Sequence, residues 1–161
     1  MLRRKTTGTV TRGFFGIGIY YPKSEVNVGG LWRSAMMLGA SFIYTIGREY
    51  EKQSMDTQKT HRHLPLFHFL DFDSFYESLP AESKMICIEQ TAESKSLFTY
   101  NHPERAVYLL GMEDHGLPGE VLDKSDCVVH IPMPASINVH VCGSIVMYDR
   151  ILKKQKSWKS I

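Results

Sequence analysis

Residues 127–149, CVVHIPMPASINVHVCGSIVMYD, decide the fold because they join a strand pattern directly to a helix pattern. The apolar run Cys127–Ile131 fits a buried strand, and the two prolines that follow deny it further ladder hydrogen bonds. Ser136 and Asn138 are residue types that satisfy free amides at the start of a helix. Ligands of open α/β sheets bind at such carboxyl ends of strands, so this segment predicts a binding pocket.

Two other segments place unusual loops after strand patterns. Asn27–Ala40 follows the strand pattern Phe14–Tyr21, and Asn27 is predicted to cap a helix that Gly39 ends. In Leu109–Pro118, a strand pattern runs into a turn rich in glycine and acidic residues. Three strand ends therefore carry three candidate functional loops.

Strand and helix patterns alternate along the chain. Strands are predicted at Phe14–Tyr21, Phe42–Ile46, Met85–Glu89, Ala106–Leu110 and Cys127–Ile131. Helices are predicted at Val28–Leu38, Phe72–Ser78, Leu117–Leu122 and Asn138–Lys154, with a loop-rich connection at Arg48–His68. This order predicts an α/β fold with a mainly parallel sheet and helices on both faces.

Length and composition are those of one compact domain, expected at residues 13–154. The chain has 161 residues, of which 43% are apolar, enough to bury a core of ordinary size. It has no apolar run that could cross a bilayer and no secretory signal pattern, so we expect no membrane association and a cytoplasmic location. Three cysteines without a Cys-x-x-Cys spacing are expected to be reduced thiols.

The net charge of +2 conceals basic ends. Nine of the 19 cations lie in residues 1–12 and 150–161, which contain no acid, and this leaves 10 basic residues against 17 acidic ones between them. Residues 1–12 and 155–161 are predicted to be a basic arm and a basic tail. They either contact an RNA backbone or serve as solubilising ends.

Taken in order, the three segments resemble the motifs of the SPOUT superfamily, specifically its TrmH (SpoU) family of RNA ribose 2′-O-methyltransferases. The first motif matches Asn27, Gly29, Arg33, Ala35 and Gly39. The second matches Gly111, Glu113, Gly116 and Leu117. The third matches Ile131–Met133, Ser136, Asn138, Tyr148 and Asp149.

Two features depart from that family's pattern. Only Pro134 and Ala135 separate Met133 from Ser136, whereas the family has a longer spacer containing glycine. His140 stands where the family often has a small polar residue. A histidine in a helix is more often satisfied by packing than catalytic, so His140 is left out of the predicted catalytic set.

The resemblance implies a C-terminal trefoil knot that binds S-adenosylmethionine, a homodimer, and an RNA substrate. It also implies a catalytic set: Arg33, Asn27, Glu113, Ser136 and Asn138. Each of these has a plainer interpretation as well. Arg33 and Glu113 could be ordinary surface ions. Asn27, Ser136 and Asn138 could serve as helix caps without any catalytic role. Within the motif, Glu113 is expected to hold Arg33 or Asn27.

The cofactor is expected to lie between the second and third loops, largely on backbone groups. The predicted cofactor residues are Leu109, Leu110, Gly111, Met112, Gly116, Ile131, Met133, Ser136 and Asn138. No metal is predicted, because the histidines at 61, 63 and 68 have no cysteine or carboxylate at a ligand spacing. The pattern Gly-x-Gly-x-x-Gly is absent, which disfavours a dinucleotide cofactor.

The predicted activity is transfer of a methyl group from S-adenosylmethionine to a ribose 2′-hydroxyl of structured RNA. The resemblance favours tRNA, because the small TrmL-like members consist of little more than the catalytic fold. Alternatives are an rRNA 2′-O-methyltransferase, a base methyltransferase, and a non-catalytic RNA-binding knotted dimer. The sequence identifies neither the modified nucleotide nor an accessory protein.

Overall fold

Strands and helices alternate along the chain, as the sequence pattern predicts. The structure, a computed structural model, describes residues 13–50 and 63–154. The elements in these two ranges are β1 Phe14–Tyr20, α1 Glu25–Met37, β2 Phe42–Ile46, β3 Leu66–Phe69, α2 Phe72–Glu77, β4 Lys84–Ile88, β5 Lys95–Ser96, β6 Arg105–Leu110, α3 Gly119–Asp123, β7 Cys127–His130 and α4 Val139–Lys154. None of these helices is long and apolar enough to cross a membrane.

The strands of the described residues form one parallel sheet in the order β3-β2-β1-β6-β4-β7-β5. Alternation along β1 sends Ile17 and Ile19 into a core beneath α1 and α4. On the opposite face, Gly16 and Gly18 make room for the aromatic rings of β2, beside the core of α2 and α3. The predicted α/β fold with helices on both faces is therefore confirmed.

Helix α1 begins earlier than predicted, and Asn27 is not its cap. The N-cap position is Ser24, whose side chain makes no capping hydrogen bond. Asn27 is the third helical residue, only 4% exposed. The prediction of an Asn27 cap is wrong because the side chain is turned toward two tertiary partners instead. The other end is as predicted, since Gly39 has φ +82° and Ala40 donates to the carbonyl of Ala35.

The connection predicted to be loop-rich contains a strand. Leu66–Phe69 forms β3 and pairs with β2 at the edge of the sheet. In this strand His68 contacts the Thr45 hydroxyl at 3.0 Å, so His68 has a structural partner. His63 is exposed, and residues 51–62, which include His61, lie outside the described residues. The two-residue strand β5 was also missed, because it has no alternation to detect.

Helices α1 and α4 pack side by side on one face of the sheet. Gly143 fits beneath Leu31, where an added Cβ would lie 3.0 Å from Cδ1 of Leu110. The hydroxyl of Ser144 donates to that of Ser34 at 2.9 Å. Small residues thus bring the two helices together and align the loops at their N-terminal ends.

Arg150 does not belong to a basic tail. The prediction of basic ends counted it there, but its side chain is only 6% exposed within α4. The guanidinium donates to the carbonyls of Pro103 and Glu104 at 2.6 and 2.8 Å and to the Tyr108 hydroxyl at 3.2 Å. It therefore ties α4 to the segment before β6. The predicted arm at residues 1–12 and tail at 155–161 lie outside the described residues.

A buried histidine should make the fold sensitive to acid. His102 contacts the Tyr108 hydroxyl at 2.6 Å and Asp149 at 2.8 Å. Burial lowers the pKa of His102, and this effect outweighs the opposing effect of Asp149. The unfolded chain therefore binds more protons, so the free energy of unfolding should fall as pH drops below about 6.5.

This prediction is checked by urea unfolding between about pH 7 and pH 5, where an unshifted histidine titrates. The variant His102→Gln should be less stable at neutral pH but should lose less stability on acidification than the original chain. Equal losses in the two proteins would contradict the assignment to His102.

Candidate active site

A cavity of about 660 Å³ lies at the carboxyl ends of β4, β6 and β7. Its walls are residues 88–90, 110–116, 130–131 and 135–139, together with Met133 and Cys142. Two of the three loops predicted from the sequence therefore converge on one cavity. Its volume falls within the range of about 300–1,000 Å³ that is typical of small-molecule sites.

The loop after β6 is a tight hairpin that forms one wall of the cavity. Met112 and Gly116 exchange two backbone hydrogen bonds, of 3.1 and 3.0 Å. Gly116 has φ +63°, a conformation that residues with a Cβ rarely adopt. A Cβ added at Gly111 would lie 2.7 Å from the carbonyl carbon of Gly116. Both glycines of the second motif are thus required by close backbone approach.

Glu89 holds this hairpin against the end of β4. One carboxylate oxygen accepts from the backbone N–H of Leu117 at 3.0 Å, and the other accepts from that of Gln90 at 3.0 Å. A Cβ added at Gly116 would overlap the Glu89 carboxylate. The carboxylate therefore fixes the hairpin, and it also contributes negative charge to the cavity wall.

Three hydrogen-bonded side chains, those of Glu113, Asn27 and His140, link the first and third loops to the cavity. The amide nitrogen of Asn27 donates to the carboxylate of Glu113, which lines the cavity. The amide oxygen of Asn27 contacts Nδ1 of His140 at 3.0 Å. Of the two expected partners of Glu113, the structure selects Asn27.

Arg33 lies outside this cavity. It is exposed on α1, six residues and about 9 Å along the helix axis from Asn27. Within residues 13–50 and 63–154, no hydrogen bond or ion pair engages its guanidinium. Among the described residues, Arg33 is therefore not a surface arginine paired with an acid. The side chain is available to an anionic ligand.

Most of the predicted cofactor residues line the cavity, with one exception. Those at the wall are Leu110, Gly111, Met112, Gly116, Ile131, Met133, Ser136 and Asn138. Leu109 is fully buried in the core beneath α2 and α3, because successive side chains of β6 point to opposite faces of the sheet. The geometry therefore gives no support to Leu109 as a wall of the adenine site.

Asn138 combines capping with a place at the cavity. Its side-chain oxygen accepts from the backbone N–H of His140 at 3.0 Å, which caps α4. Asn138 and Ser136 both line the cavity. Capping is therefore confirmed for Asn138, and the roles of Asn138 and Ser136 toward the cofactor or the ribose stay predictions.

The cavity suits a cationic ligand that carries an aromatic group. Leu110, Ile131, Met133 and Val139 supply apolar wall, and the loops present backbone groups for hydrogen bonds. The carboxylates of Glu89 and Glu113 also line it and would favour positive charge, whereas that of Asp114 is paired with Lys23. These features fit the adenine and the positively charged sulfonium of S-adenosylmethionine.

Neither a metal centre nor a reactive thiol is evident at this site. In the part of the chain that the structure describes, no three His, Cys, Asp or Glu side chains are grouped to hold a metal ion. The absence of a metal stays a prediction. Cys142 lines the cavity, and burial raises the pKa of its thiol, which disfavours the nucleophilic thiolate.

Two residues of the site were not predicted from the sequence. Glu89 was seen only as the end of a strand, and its hydrogen bond to Leu117 joins residues 28 positions apart. His140 was left out of the catalytic set, although its departure from the family pattern was a signal. Its bond to Asn27 spans 113 positions and depends on the packing of α1 against α4.

Comparison of the sequence with protein families gives one match that covers most of the chain. A family model described as the SpoU rRNA Methylase family matches residues 15–148. The mouse protein tRNA (guanosine(18)-2′-O)-methyltransferase TARBP1 is 30% identical over 136 residues. That alignment covers 76% of this chain but only 8% of the mouse protein.

Solved structures share the fold. An AdoMet-bound rRNA methyltransferase from Sinorhizobium meliloti superposes with a TM-score of 0.79 at 20% identity, covering 89% of this chain and 58% of that one. A structure described as giving insights into 2-OH methylation of C/U34 on tRNA superposes with a TM-score of 0.73 at 25% identity. It covers 88% of this chain and 96% of that one.

Proposed function

The chain belongs to the SpoU rRNA Methylase family, and from that membership we propose that it transfers a methyl group from S-adenosylmethionine to a ribose 2′-hydroxyl of RNA. The observation that carries the proposal is the convergence of the second and third family motifs on one cavity. The Asn27–Glu113 hydrogen bond then joins the first motif to that cavity. All three motifs thus meet in one site.

The cofactor supplies an activated methyl group on a positively charged sulfonium. The loops 110–116 and 130–138 would hold it, with Leu110, Ile131 and Met133 against the adenine. Glu89 keeps the hairpin 111–116 in place through the backbone N–H of Leu117. The protein's part in this step is to fix the cofactor between the two loops, so that its methyl group is aligned with the attacking oxygen.

The ribose hydroxyl is a poor nucleophile, so it must be aligned and its proton must be shared. Glu113 and Asn138, both at the cavity, can accept a hydrogen bond from the 2′-hydroxyl. Ser136 can donate or accept beside them. We assign Arg33 to a phosphate of the RNA, because a guanidinium binds phosphate in a bidentate manner and this one has no described partner.

We favour tRNA as the substrate. The mouse relative is named as a tRNA methyltransferase, and a structure concerned with tRNA methylation is 25% identical and is covered over 96% of that chain. An rRNA substrate is the alternative, consistent with the Sinorhizobium meliloti protein. A non-catalytic RNA-binding dimer is a further alternative, which the shortened third motif would favour if it prevented cofactor binding.

The proposal is tested by incubating the protein with labelled S-adenosylmethionine and total tRNA or rRNA from cells that lack it. Label in tRNA is the expected result. Label in rRNA alone would change the substrate but keep the reaction. No label in either pool, with no cofactor binding by calorimetry, would replace the proposal with the non-catalytic alternative.

We also propose a homodimer formed through the outward faces of α1 and α4. Val141, Tyr148 and Leu152 follow a helical period along α4 and are exposed, Leu152 by 62%. On the neighbouring α1, Val26 and Met37 are exposed, the former by 65%. We expect a second copy of the chain to pack against this apolar patch. Arg33 lies outside the cavity of its own subunit. In the dimer, the cavity of the second subunit would be within its reach.

Leu152→Glu is expected to weaken this dimer, because it places a charge within an apolar contact. Sedimentation velocity should show a shift to monomer, and methyl transfer should fall with it. Phe98→Glu is the matched control, since Phe98 is exposed but lies outside both helices. Unchanged sedimentation of the Leu152 variant would reject the proposed interface.

A C-terminal trefoil knot and a cytoplasmic location belong to the same proposal. The segment after β7 leads to α4, which packs beside α1, and it lines one cavity together with the loop that follows β6. This close approach of the two loops supports the knot. The three free cysteines support a reducing compartment.

A further inference from the structure

His140 is hydrogen-bonded to both asparagines of the predicted catalytic set, to one through its side chain and to the other through its backbone. Its Nδ1 lies 3.0 Å from the amide oxygen of Asn27, and its backbone N–H donates to the side chain of Asn138 at 3.0 Å. The ring lies against Gly30, where an added Cβ would stand 2.9 Å from Cδ2. The imidazole therefore occupies a fitted place between α1 and the start of α4.

The hydrogen-bond chain determines which nitrogen of His140 carries the proton. Glu113 as a carboxylate can only accept, so the group that Asn27 turns toward it must be the amide nitrogen. The amide oxygen of Asn27 then faces His140 and can only accept as well. Nδ1 of His140 must therefore be protonated and donate.

We propose that His140 is a positioning residue of the methyl transfer, acting through Asn27 on Glu113. Donation from Nδ1 fixes the amide of Asn27 in the orientation that presents its nitrogen to Glu113. Asn27 is buried, so an unmatched amide there would turn or admit water rather than hold the carboxylate. The inference rests on the function proposed above and extends it to a residue outside the motif pattern.

The expected kinetic signature is a lower kcat with little change in cofactor affinity. Neither His140 nor Asn27 lines the cavity, so the cofactor walls stay intact when the imidazole is removed. Loss of the partner that orients a functional group commonly costs about 10-fold to 100-fold in activity. His140→Ala is therefore expected to lower kcat in this range, with the Kd for S-adenosylmethionine changed by less than about 2-fold.

Two further variants separate positioning from direct proton transfer. Asparagine carries its amide nitrogen at the same distance along the side chain as Nδ1, whereas glutamine carries it one atom farther, near Nε2. If donation from Nδ1 is what matters, His140→Asn should retain most of the activity and His140→Gln should lose it. The reverse result would overturn the proposal and make Nε2 the working atom. His68→Asn is the control, because His68 lies on β3, contacts the Thr45 hydroxyl of β2 and is not part of the cavity wall.

Nitrogen-15 NMR of the free protein gives a readout that does not depend on activity. Long-range ¹H–¹⁵N correlations, assigned by comparison with His140→Asn, should show His140 protonated at Nδ1. Protonation at Nε2 alone would overturn the proposal. If the original chain transfers no methyl group but His140 has the expected tautomer, the proposed function fails while the hydrogen-bond chain stands. The two failures are thus distinguishable.

Discussion

Replacement of Arg33 with alanine is expected to lower kcat for methyl transfer by about 100-fold, the scale of the loss when a reacting group is misplaced by about 1 Å. The guanidinium is exposed and has no partner among the described residues, so it is available to an RNA phosphate beside the reacting ribose. Arg33 does not line the cavity, so the Kd for S-adenosylmethionine should change by less than about 2-fold. Single-turnover kinetics and calorimetry measure the two quantities.

Two variants sharpen this test. Arg33→Lys keeps a charge but loses the bidentate fork, so partial activity is expected. Arg105→Ala is the control. Arg105 begins β6, at the end of this strand that lies away from the cavity, and it pairs with Glu82. An unchanged methylation rate in Arg33→Ala would remove this residue from the mechanism.

Replacement of Gly116 with alanine is expected to raise the Kd for S-adenosylmethionine by about 10-fold or more. The residue has φ +63°, which costs a non-glycine residue about 1–3 kcal/mol, and tenfold in affinity corresponds to about 1.4 kcal/mol. The new Cβ would also overlap the carboxylate of Glu89. Glu89 would then release the N–H of Leu117, and the hairpin that walls the cavity would move.

Gly119→Ala is the matched control for this change. Gly119 opens α3 three residues later, and an added Cβ there would meet no atom within 4 Å. Calorimetric titration of both variants, with thermal unfolding to check the fold, separates a cavity effect from a general one. Equal cofactor affinity in the Gly116 variant and the original chain would show that the hairpin does not hold the cofactor.

The sequence predicted most of the strands and helices because local patterns determine them. The apolar run Cys127–Ile131 is followed by prolines, a pattern that indicates a short strand. In the structure, β7 ends at His130. Asn138 could be identified as a cap because capping is a local interaction, and it caps α4. Local chemistry of this kind requires no knowledge of the tertiary fold.

The predictions that failed depend on contacts between distant residues. Asn27 is a good capping residue type, but tertiary partners at Glu113 and His140 take its side chain into the protein interior. Arg150 looked like part of a basic end, but it bonds to carbonyls more than 40 positions away. Strand β3 is stabilised by pairing with β2, which its own four residues do not encode.

The central claim is that the cavity and its three loops transfer a methyl group to ribose. The most direct measurement is mass spectrometry of the nucleosides from tRNA that has been incubated with the protein and S-adenosylmethionine. We predict a methyl group on the ribose of one nucleoside, absent when Arg33→Ala replaces the original chain. Methylation of a base, or no methylation by a protein that binds the cofactor and the RNA, would contradict the claim.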